Sequence, residues 1–428
     1  MSTQIQLNDP KTIRNWALFD WANSAYALVI STAIFPPFFE AVTTDQVSFL
    51  GGSISNTALY SFAISFSYFF MVLVNPILAG IADGGGKRKM FLRFFTLLGG
   101  VACISMFFFE TSGYVWWATL GFVLATIGFQ AGTVFYNAYL PEIVTEDKFD
   151  QVSAKGYAYG YIGSVILLIF ILAMIQNPEF FGMKESTLQA RIGFVLVGVW
   201  WIGFGLYSMN RLPKDSFKKT LIHPVKKGIQ ELKSAWSKIK ANKHLMRFLA
   251  SFFFYISGLN TIVYLATIFA KKVLNIGQSE LIKTVLIIQL LGMVGAYLFA
   301  YVSKLKGNKL AIGIMITIWM ILCIVGYFVN GTTGFYVLSG FVGLVVGGTQ
   351  AVSRSAFAKM VEGHKAKMNS YFSILDVVRN LAVVAGTLVF GLVDQLTQNM
   401  RFSVLSVAVF FALGLVFLVI TNLEEAKI

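Results

Sequence analysis

Long apolar runs separated by short polar turns make up most of the chain. A helix that crosses a bilayer needs about 20 predominantly apolar residues, and the lipid core forces its backbone groups to bond internally. Runs of that kind fall at 16–42, 55–78, 90–109, 114–139, 154–176 and 190–209, and again at 246–270, 280–303, 310–328, 335–357, 369–393 and 402–422. None shows the strict alternation of a transmembrane β-strand. The pattern therefore predicts an all-α polytopic membrane protein with twelve transmembrane helices. The first run is too long for the core of a signal peptide and lacks a small-residue cleavage site, so it is expected to remain as a true helix.

One substantial polar gap divides the runs six and six, giving a first half at 1–209, a linker at 210–245 and a second half at 246–428. Within the linker, Ile229, Leu232, Trp236 and Ile239 recur at helical spacing opposite Lys226, Lys227, Lys233, Lys238 and Lys240. That spacing reads equally as a basic amphipathic helix on an anionic membrane surface and as a solvated linker. A shift of 220 residues places Cys103 on Cys323 and Gln130-Ala131 on Gln350-Ala351. Two like-oriented six-helix repeats joined by a loop is the layout of parallel-repeat transporters, with a central site between the halves.

Composition agrees: 57% of the 428 residues are apolar and 13% charged, against about 25% charged in ordinary soluble domains. Soluble, disordered and disulfide-rich secreted classes are excluded. The formal charge is nevertheless +14. Taking the loops alternately, 27 of the 34 Lys and Arg fall on the side of the termini and 6 on the other, which predicts cytoplasmic termini in a cell membrane. The excess is thus a topology signal, with the lipid bilayer as partner and no nucleic acid implied. It leaves Arg379 as the cation inside a run that topology does not explain.

Buried charges in lipid are costly and face a cavity or a partner. Asp20 and Asn23 lie three apart on one helical face, continued by Ala27 and Ser31. Asp376, Arg379 and Asn380 share a face in the eleventh run; Asp376 is the nearest partner for Arg379, either as a static pair or as part of a gating network with Asp20. All three His fall outside the runs, so no imidazole relays protons at membrane depth, and Asp20, Asp376 and Glu40 remain as protonation candidates. No hydrolase, metalloprotease or Cys/His metal constellation is present, so neither an enzyme nor a cofactor is expected.

Two stretches carry a family resemblance. The turn Asp83-Gly84-Gly85-Gly86-Lys87-Arg88-Lys89 resembles the loop signature of the major facilitator superfamily, with Ala79 and Gly84 departing from it. A plain turn with anchoring cations accounts for much of the same segment. The opening Phe19-Asp20-Trp21-Ala22-Asn23-Ser24, with Tyr26 and Phe35-Pro36-Pro37 after it, resembles the start of the Atg22-like branch of that superfamily. Pro141-Glu142, the glycines at 156–163 and the stretch 347–355 are similar to the same branch, so the likeness runs along essentially the whole chain. It implies the major facilitator fold, a latch role for Asp83, a cavity lined by spans one, four, seven and ten, and contact between halves through spans two, five, eight and eleven. The polar residues this assigns to the cavity are Asp20, Asn23, Tyr26, Gln130, Thr133, Asn137, Asn260, Tyr264, Gln350 and Arg354; each isolated amide or hydroxyl could equally be interhelical glue worth about 0.6 kcal/mol. Gly156, Gly160, Gly163, Gly292 and Gly295 are expected to let backbones approach closely.

The expected function is secondary transport by alternating access. The resemblance implies a small polar or zwitterionic solute such as an amino acid, with protons as the candidate coupling ion. Arg354 or Arg379 would equally suit an organic anion or an amphipathic conjugate. A non-transporting receptor or a polytopic membrane enzyme is the reading from another class.

Overall fold

The structure is a computed structural model that describes residues 6–428 except 45, 50–51, 86, 185–186, 214–223, 364–367 and 398; some further side chains, including those of Glu40, Asp83 and Tyr264, also lie outside the described set. The latch expected of Asp83 and the cavity position of Tyr264 therefore fall outside it, as do His223 and His364.

The chain opens with α1 (Pro10–Ala25), a π-helical stretch (Tyr26–Ile34) and α2 (Phe35–Val42). Asp9 caps α1 by accepting from the backbone N–H of Lys11 and Thr12, and Pro10 fills the first turn, where no N–H is needed. The wide turn ends against Pro36 and Pro37, which cannot donate to the ladder; the N–H of Phe35 reaches back five residues to Ile30. A hairpin of β1 (Gln46–Phe49) and β2 (Gly52–Ser55) follows, which the apolar pattern did not predict.

Then come α3 (Asn56–Gly85), α4 (Arg88–Ser105), α5 (Val115–Asn137), α6 (Leu140–Ile143), α7 (Phe149–Gln176) and α8 (Leu188–Arg211). The linker holds α9 (Pro224–Ala241). After it lie α10 (Lys243–Leu274), α11 (Gln278–Lys306), α12 (Asn308–Phe328), α13 (Gly331–Met360), α14 (Met368–Thr397) and α15 (Met400–Val419). Ten helical segments among the described residues are long and apolar enough to cross a membrane. Large apolar side chains such as Phe66, Phe69, Leu120, Phe341 and Val409 remain exposed around the bundle, as lipid contact requires.

Several helices outrun the apolar runs at the end that carries both termini. The fifth begins at Phe149 rather than 154, and the tenth continues to Met360. Hydropathy stops at charged residues, but a helix continues through them wherever tertiary partners satisfy the charge. This corrects the reading of Arg379 as the one intramembrane cation, because Arg354 lies inside α13 and is 4% exposed.

Before the linker, α1 packs on α7 and α8, and α4 on α5 and α8. After it, α10 packs on α14 and α15, α12 on α13 and α15, and α11 along α13. The two groups meet through α7 with α11 and α13, and through α3 with α14. The described part of the linker forms helix α9, which packs against α3, α10 and α14 rather than lying free of the bundle, with Ala235 and Ile239 buried and Trp236 turned outward.

Candidate functional site

Arg354 joins the two groups of helices. It sits six residues before the end of α13 at Met360, and its guanidinium crosses to the helices before the linker. Nε donates to Ser153 Oγ at 2.8 Å, one terminal nitrogen to Ser153 O at 2.5 Å, and the other to Asn137 Oδ1 at 3.3 Å. That last nitrogen also lies 3.5 Å from Asp20 Oδ2. The rings of Trp16, Tyr136 and Tyr157 surround the cation, Tyr157 at 4.2 Å. A buried guanidinium held this way is stable only because charge, hydrogen bonds and ring faces together replace its water.

Asp20 is fixed in turn. Ser24 Oγ donates to Oδ1 at 3.0 Å and Tyr136 OH to Oδ2 at 3.2 Å. Trp16 stacks on Tyr136 with centroids 4.5 Å apart and donates to its carbonyl, which orients the phenol. Glycine is required on the face of α7 that closes over this group. A Cβ at Gly156 would stand 2.7 Å from Tyr136 Oη and 2.9 Å from both Arg354 and the Trp16 ring; one at Gly160 would stand 2.5 Å from Ser24 Oγ. These glycines, with Gly163 against Trp21, bring α7 close to α1, which lies on the same side of the linker; Gly292 faces Tyr161 across the boundary, and Gly295 packs on α13.

Of the two arrangements open for Arg379, the static pair with Asp376 is the one found, and the network with Asp20 is not. Asp20 pairs with Arg354, while Arg379 and Asp376 pair with each other at 2.5 Å, one turn apart on α14. Arg379 keeps 31% of its side chain exposed, whereas Asp376 is buried. Tyr157 lies within electrostatic reach of both pairs. One turn along α7, Tyr161 donates to Gln350 Oε1 at 3.5 Å; both are partly accessible, as is Asn260.

The other residues assigned to the cavity face inward on their own helices. Tyr26 OH bonds to Thr126 at 2.6 Å and is 1% exposed, and Asn23 donates to Thr133. They hold α1 and its π stretch to α5 and offer nothing to a solute in this conformation. Gln130 is also buried, and its Nε2 has no hydrogen-bond partner among the described residues.

Nearer the termini, two more charge clusters cross the boundary. Arg88 pairs with Glu142 at 2.6 Å and donates to Asn369 Oδ1 at 3.1 Å. Asp150, 5% exposed, accepts from Asn308 at 2.9 Å, Ser303 at 3.2 Å, Lys359 at 2.7 Å and the Ser355 hydroxyl. Arg88 belongs to the recognised turn motif. Asp150, Ser153, Tyr136, Tyr157 and Lys359 carry little sequence signal; Asp150 and Ser153 share a helical face, but the apolar run starts after both.

The family profile described as Vacuole effluxer Atg22 like matches residues 8–428. The uncharacterized MFS-type transporter YxiO of Bacillus subtilis is 32% identical over 95% of this chain and 94% of its own length. Autophagy-related protein 22 of Eremothecium gossypii is 24% identical over 92% of this chain and 81% of its own. Among solved structures, the major facilitator superfamily transporter FucP in its outward conformation superposes with a TM-score of 0.72 at 14% identity, covering 96% of this chain and 99% of that one. The chain belongs to the Atg22-like family of major facilitator superfamily transporters, integral membrane proteins that are not enzymes.

Proposed function

We propose that this protein is a secondary transporter that moves a small polar or zwitterionic solute, an amino acid in the first instance, by alternating access. The observation that carries the reading is the Arg354 cluster. It binds α13 to α1, α5 and α7 through side-chain bonds that a rocking motion can break and remake. Arg379, although paired with Asp376, keeps 31% of its side chain exposed, so it rather than the fully engaged Arg354 is the cation placed to take a solute's carboxylate. Tyr157, Tyr161 and Gln350 supply neighbouring polar and aromatic contacts. The same exposed guanidinium suits an organic anion, which is the second reading.

This reading takes the fold as twelve spans in two six-helix repeats. Arg191 donates to the carbonyl of Phe107 in the turn just after α4, and Arg401 to that of Tyr327 at the end of α12, carbonyls 220 residues apart like the two buried cysteines. The Lys and Arg distribution supports reading the termini, and the face closed by Arg88 and Asp150, as cytoplasmic in a cell-membrane protein. FucP is a fucose:proton symporter; here Asp20, the carboxylate facing Arg354, is the group that would carry a coupling proton.

Counterflow of a radiolabelled amino-acid mixture into proteoliposomes tests the reading. Accumulation above protein-free liposomes, abolished by Arg379→Gln, is expected. Accumulation of organic anions alone would favour the second reading, and no flux of either class would overturn both.

A further inference from the structure

After α15 the chain does not leave the bundle. Residues 421–428 turn back across the termini-bearing face, fixed almost throughout to helices that follow the linker. The N–H of Asn422 donates to His244 Nδ1 at 3.0 Å, and the other ring nitrogen pairs with Glu425 at 2.9 Å. Asn242, which caps α10, also donates to the Glu425 carbonyl. Ala426 is fully buried, and the N–H of Ile428 donates to Met360 O at 2.8 Å, at the end of α13.

One contact differs. Lys427 Nζ lies 2.9 Å from Glu146, which precedes the linker. Both ends are preset: Glu424 holds the ammonium from its own side at 3.0 Å, and the two acidic groups raise the Lys427 pKa. The segment around Glu146 is pinned by Asn8, whose left-handed backbone (φ 64°) lets its amide bond Thr145 while its N–H reaches Ile143. Holding both partners in place lowers the ordering entropy that weakens most exposed ion pairs.

We propose that residues 421–428 form a strap, with Lys427–Glu146 as its clasp, that biases the transporter toward the state closed at the termini-bearing face. The strap travels with the helices after the linker, so rocking separates the clasp and nothing else in it. This rests on the alternating-access reading above.

The test is charge reversal read by electron-spin distance measurement. Labels are placed at the exposed positions Arg211 and Lys306, on either side of the boundary, in full-length protein whose native cysteines are buried. Lys427→Glu and Glu146→Lys should each raise the ratio of long to short distances two- to fivefold, the scale of an exposed ion pair, and the double swap should return it toward the parent. Asp150→Asn, which weakens a separate cluster, serves as control. Unchanged ratios in both single variants while Asp150→Asn opens the face would overturn the strap and leave alternating access standing. A double swap no closer to the parent than the single variants would also overturn it. A single short distance in every sample, control included, would overturn both.

Discussion

Asp20 and Arg354 lie 3.5 Å apart across the boundary between the helices before and after the linker, each almost fully buried. They are not equally dependent on one another. Arg354 spends most of its donors on Ser153 and Asn137, while Asp20 is also served by Ser24 and Tyr136. Neutralising the carboxylate therefore loosens the contact without orphaning the cation's other bonds, a property suited to a switch.

Removing the cation is the harsher change. Arg354→Gln leaves the Asp20 carboxylate buried without its counter-charge and should cost about 3–5 kcal/mol. Asp20→Asn should cost less, and the double variant should be more stable than Arg354→Gln alone. Melting of the purified proteins in detergent measures all three.

Gly156→Ala places a methyl group against Tyr136, Arg354 and Trp16 at once. Overpacking of this kind should cost about 1–3 kcal/mol. Gly203→Ala in α8, where nothing stands within 4 Å, is the matched control and should leave the melting temperature unchanged or raise it slightly.

Asp150→Ala deprives Ser303, Asn308, Ser355 and Lys359 of their shared acceptor. The expected loss is again about 3–5 kcal/mol. Lys359→Met should cost less, since the hydroxyls and the amide still satisfy the carboxylate. Equal melting temperatures for the two variants would contradict the shared-acceptor arrangement.

The membrane class and the placement of most helices were legible because lipid imposes a single requirement, long apolar runs, that hydropathy reads directly. Asp20 and Arg379 stood out as charges inside such runs. Arg354 was assigned to the cavity by family likeness, but its burial was not legible, because a cation six residues from the end of its helix reads as an anchor until the partners that enclose it are seen. Asp150 was lost for the mirror reason at the start of α7. Tyr136 and Tyr157 carry no local signal, since their roles arise from stacking on Trp16 and Arg354, residues far away in the chain. Asn23 and Tyr26 face α5 in this conformation, which a polar face on one helix does not reveal, since it is silent on whether a neighbouring helix or a cavity meets it.

The most direct test of the switch compares net proton-driven transport with solute exchange for Asp20→Asn in proteoliposomes, using an amino acid that the parent protein carries. Loss of proton-driven accumulation with exchange retained is the predicted result. Proton-driven accumulation equal to the parent's would contradict the assignment of Asp20 and Arg354 as the coupled pair.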